Sequence, residues 1–476
     1  MTGLQVTKKI HVRETRGWHI NWRWAVVWLT QLVYYGLPWL LWDGRQIVLL
    51  DFESQKFFVF GFVFWPQDLI YLAFLLVVGA LLLFLSSTIV SRVWCGFACP
   101  HTVYTEIFQW VERQIEGGRS ARIRLASAPA SFPKFKKKLV KHGIWILIAG
   151  WTGLTFVGYF TPIRDLIPAM LTSSLKSWAL FWGFAYGTLA YVNAGWMREQ
   201  VCRVICPYSR FQGAMMDRNT LVIEYDQVRG EPRGLRNRKQ MTATRDRGDC
   251  IDCTLCVQVC PVGIDIREGL QHDCTGCGAC YDACDLVMEK IGATKGLIRY
   301  ASNGLSAELR NVIRPRVLIY AGLITAVSVV LVVALGLRVP LKLDVARDRA
   351  DVMQASDLGE VENVYRLHIV NADVRAQWFR IEVAGLRGIS LAHTDLTWVS
   401  GSSSSSVTVR VRVPGNSLTV GANHMSFRLQ GLADENLQVS EKAVFFMPHP
   451  VKSEPYPKQI AIVAVSKSSC CTILRQ

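Results

Sequence analysis

Apolar residues in this chain follow two patterns, and the change between them falls near residue 337. Before it, five apolar stretches are each long enough to cross a bilayer as a helix: about Trp24–Trp42, Leu69–Val90, Gly143–Phe160, Lys176–Gly195 and Arg316–Leu337. Beyond it, Val364–Val370, Gln377–Val383, Ser405–Val413 and His424–Leu429 alternate apolar with polar residues and are rich in β-branched side chains. Turn-forming clusters such as Gly401–Ser405 and Pro414-Gly415-Asn416 separate them, so the spacing predicts a β-sandwich. Tryptophans and tyrosines (Trp18, Trp22, Trp24, Tyr34, Tyr35, Trp39, Trp42) crowd the ends of the first stretch and read as an interfacial aromatic belt, with a quinone pocket as the alternative.

Composition agrees with a membrane protein: 51% of the 476 residues are hydrophobic and the mean hydropathy is +0.22. The first stretch follows a basic leader and has no small-residue cleavage site after it, so it reads as a span and not a cleaved signal. Lysine and arginine set the orientation. The leader carries Lys8, Lys9, Arg13, Arg16 and Arg23; the connection after the second stretch carries ten basic residues; the one after the third has only Arg164. The amino terminus is therefore expected inside and the carboxy terminus outside. The net charge of +16 concentrates beside the spans, where it meets anionic membrane lipid, and no nucleic-acid motif accompanies it. None of the five stretches holds a histidine, which argues against a transmembrane b-type haem with two axial histidines. None has an interior Asp or Glu, which argues against an ion path.

The chemistry lies in eight cysteines. Cys250-x2-Cys253-x2-Cys256-x3-Cys260 is followed by Cys274-x2-Cys277-x2-Cys280-x3-Cys284, an internal repeat offset by 24 residues. This is the bacterial two-cluster ferredoxin spacing, in which the fourth cysteine of each run serves the other cluster. Cys250, Cys253, Cys256 and Cys284 are expected to hold one [4Fe–4S] cluster, and Cys274, Cys277, Cys280 and Cys260 the other. Zinc sites usually show two C-x2-C pairs across a longer spacer, which this pattern is not. The insert falls on the inner side of the membrane, the reducing side that suits exposed clusters.

Two further pairs, Cys95/Cys99 and Cys202/Cys206, each precede a proline and follow the second and fourth stretches on the inner face. Their i, i+4 spacing would put each pair on one side of a helix, with Pro100 and Pro207 marking a break. Four thiols converging there could bind a soft ion such as Cu(I), cycle between dithiol and disulfide, or ligate a further metal centre.

The expected organisation is a cytoplasmic leader at 1–23, four transmembrane helices within 24–195 with a basic cytoplasmic loop at 91–142, a cytoplasmic region at 196–315 with a two-cluster α+β ferredoxin core at 245–290, a fifth helix at 316–337 and an outer-face β-sandwich at 338–476. Within the loop, residues 117–141 read as a flexible basic linker, and residues 228–249 as a polar lead into the ferredoxin.

The segment from Cys250 to Asn303, WCGFACPHTVYTE at 94–106 and CRVICPYSRFQ at 202–212 together resemble the CcoG (FixG/RdxA) family of cytochrome c oxidase accessory proteins. The resemblance covers essentially the whole chain and includes Asp285, where a ferredoxin would have a second proline; His101 departs from a family glutamine. It implies an Ig-like carboxy-terminal domain, a bacterial inner-membrane location, and work with factors and subunits of cbb3-type oxidase assembly. It also implies reduction of Cu(II) to Cu(I); as a cupric reductase the chain would take electrons from a cytoplasmic donor through the two clusters to copper at or near Cys95, Cys99, Cys202 and Cys206, the catalytic candidates. In the outer domain Met353, His368, His393, His424, Met425, Met447 and His449 are candidate copper ligands, while Cys470-Cys471 reads as a disordered end. A quinol dehydrogenase feeding an outer-face reductase and a non-catalytic assembly scaffold are the competing functions.

Overall fold

The computed structural model describes residues 10–42, 44–234, 248–302, 305–306, 313–355, 360–373, 375–392, 395–433 and 437–447. The chain forms two units, Met1–Arg338 and Val339–Gln476.

In the first unit, α1 spans Trp18–Gly36, α2 Leu69–Ile89, α6 Phe132–Val157, α8 Ser177–Tyr191 and α13 Pro315–Gly336. Three of these, α2, α6 and α13, are long and apolar enough to cross a membrane. The first expected stretch is shifted: α1 begins at Trp18 and stops at Gly36, because Pro38 follows and residues 41–64 become short strands. These are β1 (Leu41–Trp42) with β2 (Arg45–Gln46), and a meander of β3 (Val48–Asp51), β4 (Lys56–Val59) and β5 (Phe62–Phe64). Tyr34 and Tyr35 turn toward α6, where both hydroxyls bond to Thr152, at 3.1 and 2.8 Å. Trp18, Trp22 and Trp42 remain exposed.

α8 widens into π-type turns over Val192–Met197. It lies so close to α6 that a Cβ on Gly153 would sit 2.1 Å from the Gly183 carbonyl oxygen, a contact only small residues permit. α2 and α13 run together and are closed at one end by the buried Arg338–Asp68 pair at 2.5 Å.

The basic linker expected at 117–141 is instead helical: α5 covers Arg119–Ser127 and α6 already begins at Phe132, with Ser131 in the capping position and Pro133 in the first turn. Alanine, arginine and leucine favour a helix there, and Arg122 is anchored by burial. The longer helices bring two histidines in, His19 in the first turn of α1 and His142 near the middle of α6. His19 Nδ1 meets Asp282 at 2.8 Å and His142 Nδ1 meets the Tyr191 hydroxyl at 2.9 Å.

Between α2 and α8 lie α3 (Val93–Phe97), the amphipathic α4 (Pro100–Glu116), α5, α6 and α7 (Ile163–Leu171). After α8 come α9 (Pro207–Met215), β6 (Val222–Tyr225), α10 (Gln227–Gly230), α11 (Leu255–Gln258), α12 (Ala279–Ile291), β7 (Ile298–Ser302) and β8 (Leu305–Ser306). β6 and β7 pair antiparallel, and Ile223, Ile298, Leu297, Ile266 and Met288 form the core beneath the cysteines. Residues 235–247 of the polar lead lie outside the described residues.

The second unit is a sandwich of two four-stranded antiparallel sheets. One is ordered β12-β14-β10-β9 and the other β13-β11-β15-β16. The strands are β9 Leu341–Ala355, β10 Glu360–Asn371, β11 Gln377–Ala384, β12 Ser390–Leu391, β13 Leu396–Val399, β14 Ser403–Pro414, β15 Gly421–Gly431 and β16 Gln438–Met447. β10, β11, β14 and β15 contain the four strands read from the alternating pattern. Leu367, Ile369, Phe379, Val411, Phe427 and Phe445 fill the space between the sheets.

Candidate functional site

The eight repeat cysteines surround two cavities. Cys250, Cys253, Cys256 and Cys284 line one, roofed by Tyr225, Leu297 and Ile298. Cys260, Cys274, Cys277 and Cys280 line the other, and Cys256 lies on the wall of both. Cys260 thus faces the second run and Cys284 the first. Among the described residues no three His, Cys, Asp or Glu side chains converge tightly enough to grip a single ion. Four thiols spaced around a void instead fit a polynuclear cluster, and the donor set is the one [4Fe–4S] clusters use. Burial pushes Cys256 and Cys274 up to about 11 and Cys260 and Cys284 up to about 12. Metal loading must therefore displace protons.

The two cavities differ in surroundings. Cys253 is exposed, so the first cavity reaches the surface. The second is capped by the start of α1. His19 lies against Gly278 and bonds Asp282, the backbone N–H of Ile20 donates to Asp282 Oδ2 at 2.9 Å, and Arg23 stands in the field of Cys277 and Cys260.

Each proline-flanked pair straddles a joint between helices. Cys95 sits in α3, but Cys99 is extended and Pro100 opens α4; Cys202 sits in a π-type turn, but Cys206 is extended and Pro207 opens α9. The expected single helical face is therefore absent, because a residue before proline is driven out of the α region. The two pairs nonetheless lie close enough for their charges to act on each other, though among the described residues no three of these thiols converge tightly enough to grip one ion. Burial first, then repulsion from Cys99 and the other pair, pushes Cys95 up to about 12, and Cys202 likewise to about 12. Cys95 Sγ lies 3.3 Å from Gln212 Oε1, and Gln212 is held by Ser87 at 3.1 Å.

Three links join this thiol set to the second cavity. A Cβ on Gly96 would fall 2.8 Å from the Thr275 carbonyl oxygen and 3.0 Å from the Cys277 Cα, so the α3 backbone lies directly on the cysteine loop. Arg203, between Cys202 and Cys206, donates to Asp273 Oδ2 at 2.8 Å, beside Cys274. Arg92, buried and left-handed at φ 53°, favours the thiolate at Cys95, Cys202 and Cys274 alike. Sequence reading missed Arg92, Gln212 and Gly96 as site residues, although all three fall in or beside the quoted motifs. His101 turns away and accepts or donates no bond to a thiol; its Nε2 meets the Arg198 carbonyl at 2.8 Å.

In the second unit the candidate copper ligands that fall among the described residues do not gather. His368 and His424 are exposed, whereas Met425 is core, and neighbours on a strand face opposite ways. Met447 ends β16, the Met353 side chain is not among those described, and His393, His449 and Cys470-Cys471 lie outside the described residues.

Residues 197–303 match the model of a 4Fe-4S dicluster domain, residues 72–117 that of a 4Fe-4S binding domain, and residues 331–448 that of the Ig-like fold at the carboxy terminus of FixG. The nitrogen fixation protein FixG of Rhizobium meliloti is 37% identical over 80% of each chain. Protein RdxA of Cereibacter sphaeroides is 39% identical over 77% of this chain and 80% of its own. The crystal structure of a FixG-related protein from Vibrio parahaemolyticus aligns with 22% of this chain and 95% of that one, at 22% identity and a TM-score of 0.21. With its iron–sulfur domains, its three membrane-type helices and its Ig-like unit, the chain belongs to the FixG/RdxA family of iron–sulfur electron-transfer proteins.

Proposed function

We propose that this protein is a membrane-bound cupric reductase that serves assembly of a cbb3-type cytochrome oxidase. The observation that carries the reading is the seat of Gly96 on the Cys277 backbone, because it lays the segment bearing Cys95 and Cys99 against the loop of the second cysteine cavity. Cys250, Cys253, Cys256 and Cys284 would hold one [4Fe–4S] cluster, and Cys260, Cys274, Cys277 and Cys280 the other. When bound, the clusters supply single-electron storage, which is what reduction of Cu(II) to Cu(I) requires.

The chain's own residues perform the rest. Cys95, Cys99, Cys202 and Cys206 take the copper substrate, shedding protons as they bind, and thiolates favour the Cu(I) state over Cu(II). Arg92 offsets the negative charge that gathers there. Arg203 and Asp273 hold the thiol loop in place, and Gln212 orients Cys95. The exposed Cys253 marks the face for a cytoplasmic one-electron donor.

In this reading α1 and α8, with its π-type extension, join α2, α6 and α13 as five spans of the bacterial inner membrane. The basic leader, the loop at 91–142 and the cluster region at 196–315 face the cytoplasm, while 338–476 lies in the periplasm beside the oxidase subunits. Anaerobically reduced protein should convert Cu(II) to Cu(I), read by a Cu(I)-selective chelator, in step with the electrons stored. Reoxidation by a quinone with no response to copper would point instead to a quinol dehydrogenase.

A further inference from the structure

Outside the two thiol-lined cavities, a third cavity of about 940 Å³ lies where α5 and α6 meet the amino-terminal strap. That volume is at the upper end of ordinary ligand pockets. α5 offers Arg119, Arg122 and Ile123 to it, and α6 offers Lys138, Lys141 and Trp145. In each helix the spacing is i, i+3 and i+4 or i+7, which places the three side chains on one face.

The charges do not balance. Lys141 meets Glu116 at 2.6 Å and Arg122 faces Glu112 at 3.7 Å. Among the described residues neither Arg119 nor Lys138 meets a carboxylate, and Glu116 is the single acid on the cavity wall. Arg122 is only 2% exposed, yet its Nε finds no acceptor. That atom is sealed from the cavity, and the Arg122 head group already meets the Val12 carbonyl and Glu112; the cations left facing the cavity without a carboxylate are Arg119 and Lys138, which an anion would complement.

The position of the cavity names the kind of anion. α6 is lysine-rich up to Lys141 and apolar from Ile144, so Lys138 and Trp145 stand about 10 Å apart across the boundary between water and hydrocarbon. Trp196, 67% exposed, supplies an aromatic surface beside the cations, with the buried Trp145 behind it. We infer that this cavity binds the phosphate group of an anionic phospholipid, with the guanidinium and ammonium groups on the phosphate and Trp196 against the glycerol and upper acyl chain. Val257 and Gln258, between Cys256 and Cys260, form another wall, and Arg13 N–H already donates to the Gln258 carbonyl at 2.8 Å. A bound lipid thus fastens the cysteine-bearing loop to α5 and α6. The inference is independent of the copper reading.

The test uses the full chain, stripped of lipid in detergent, and follows thermal unfolding and co-purifying lipid phosphorus. Phosphatidylglycerol should raise the unfolding temperature by several degrees and phosphatidylcholine should not. The double variant Arg119→Gln/Lys138→Gln should lose both that response and the retained phosphorus. Lys136→Gln/Lys137→Gln, an equal charge change at exposed positions off the cavity wall, should keep both. Equal responses to the two lipids, or equal loss in the two double variants, would overturn the site. A full response to inorganic phosphate alone would overturn the lipid as occupant and assign the cavity to a soluble phosphate compound.

Discussion

The Arg203 guanidinium donates to Asp273 at 2.8 Å, so the loop between Cys202 and Cys206 is hooked onto the loop that presents Cys274. The two residues are 26% and 33% exposed, and such a pair contributes less than about 1 kcal/mol to stability. Its value lies in position. Arg203→Gln is expected to unfold within a few degrees of the parent and to keep its full iron content, while Cu(II) reduction slows about tenfold or more for a displaced acceptor. Single-turnover kinetics beside thermal unfolding would check this; a stable variant with unchanged kinetics would remove the hook from the account.

Cys284 comes last in the second run but lines the cavity of the first. Cys284→Ser is therefore expected to disturb the cluster held by Cys250, Cys253 and Cys256 and to spare its neighbour. Iron should fall toward half, and the surviving electron paramagnetic resonance signal should match that of Cys253→Ser, not that of Cys277→Ser. The reverse match would mean that each run keeps its own fourth ligand.

How much of this was legible in advance divides along locality. Cysteine spacing is a local property, and so are the apolar stretches that became α2 and α13. Alternation from Val364 to Leu429 gave four strands of the sandwich, but β9 and β16 were missed because charged residues interrupt them. The basic loop at 91–142 hid α4 and α5, since their charges are buried in pairs: Glu112 is fully buried and bonds Arg198 at 2.7 Å. Nothing in the sequence shows that Gly96 meets Cys277 or that Arg203 meets Asp273, because those contacts join segments far apart in the chain. The helical reading of the two cysteine pairs failed on a local rule, the effect of Pro100 and Pro207 on the residue before them.

Burial and neighbouring sulfur push the Cys95 and Cys202 thiols up to about 12. Both should be protonated at neutral pH in metal-free protein. Since the thiolate is the reactive form, alkylation at pH 8 should run at least about a hundredfold slower than for a free cysteine of pKa about 8.5. The rate should keep climbing past pH 10, where a free cysteine levels off. Peptide mapping of labelled protein would measure it, and a plateau near pH 9 would show that the pair is not buried as described.

The central claim is that electrons held beside Cys277 leave through the four proline-flanked thiols. Electron paramagnetic resonance of anaerobically reduced protein, followed during Cu(II) addition, tests it most directly, with Cys95→Ser/Cys206→Ser as the comparison. The same reduced signal is expected in both proteins before copper, with rapid loss in the parent and persistence in the variant. Equal loss in the two would contradict it.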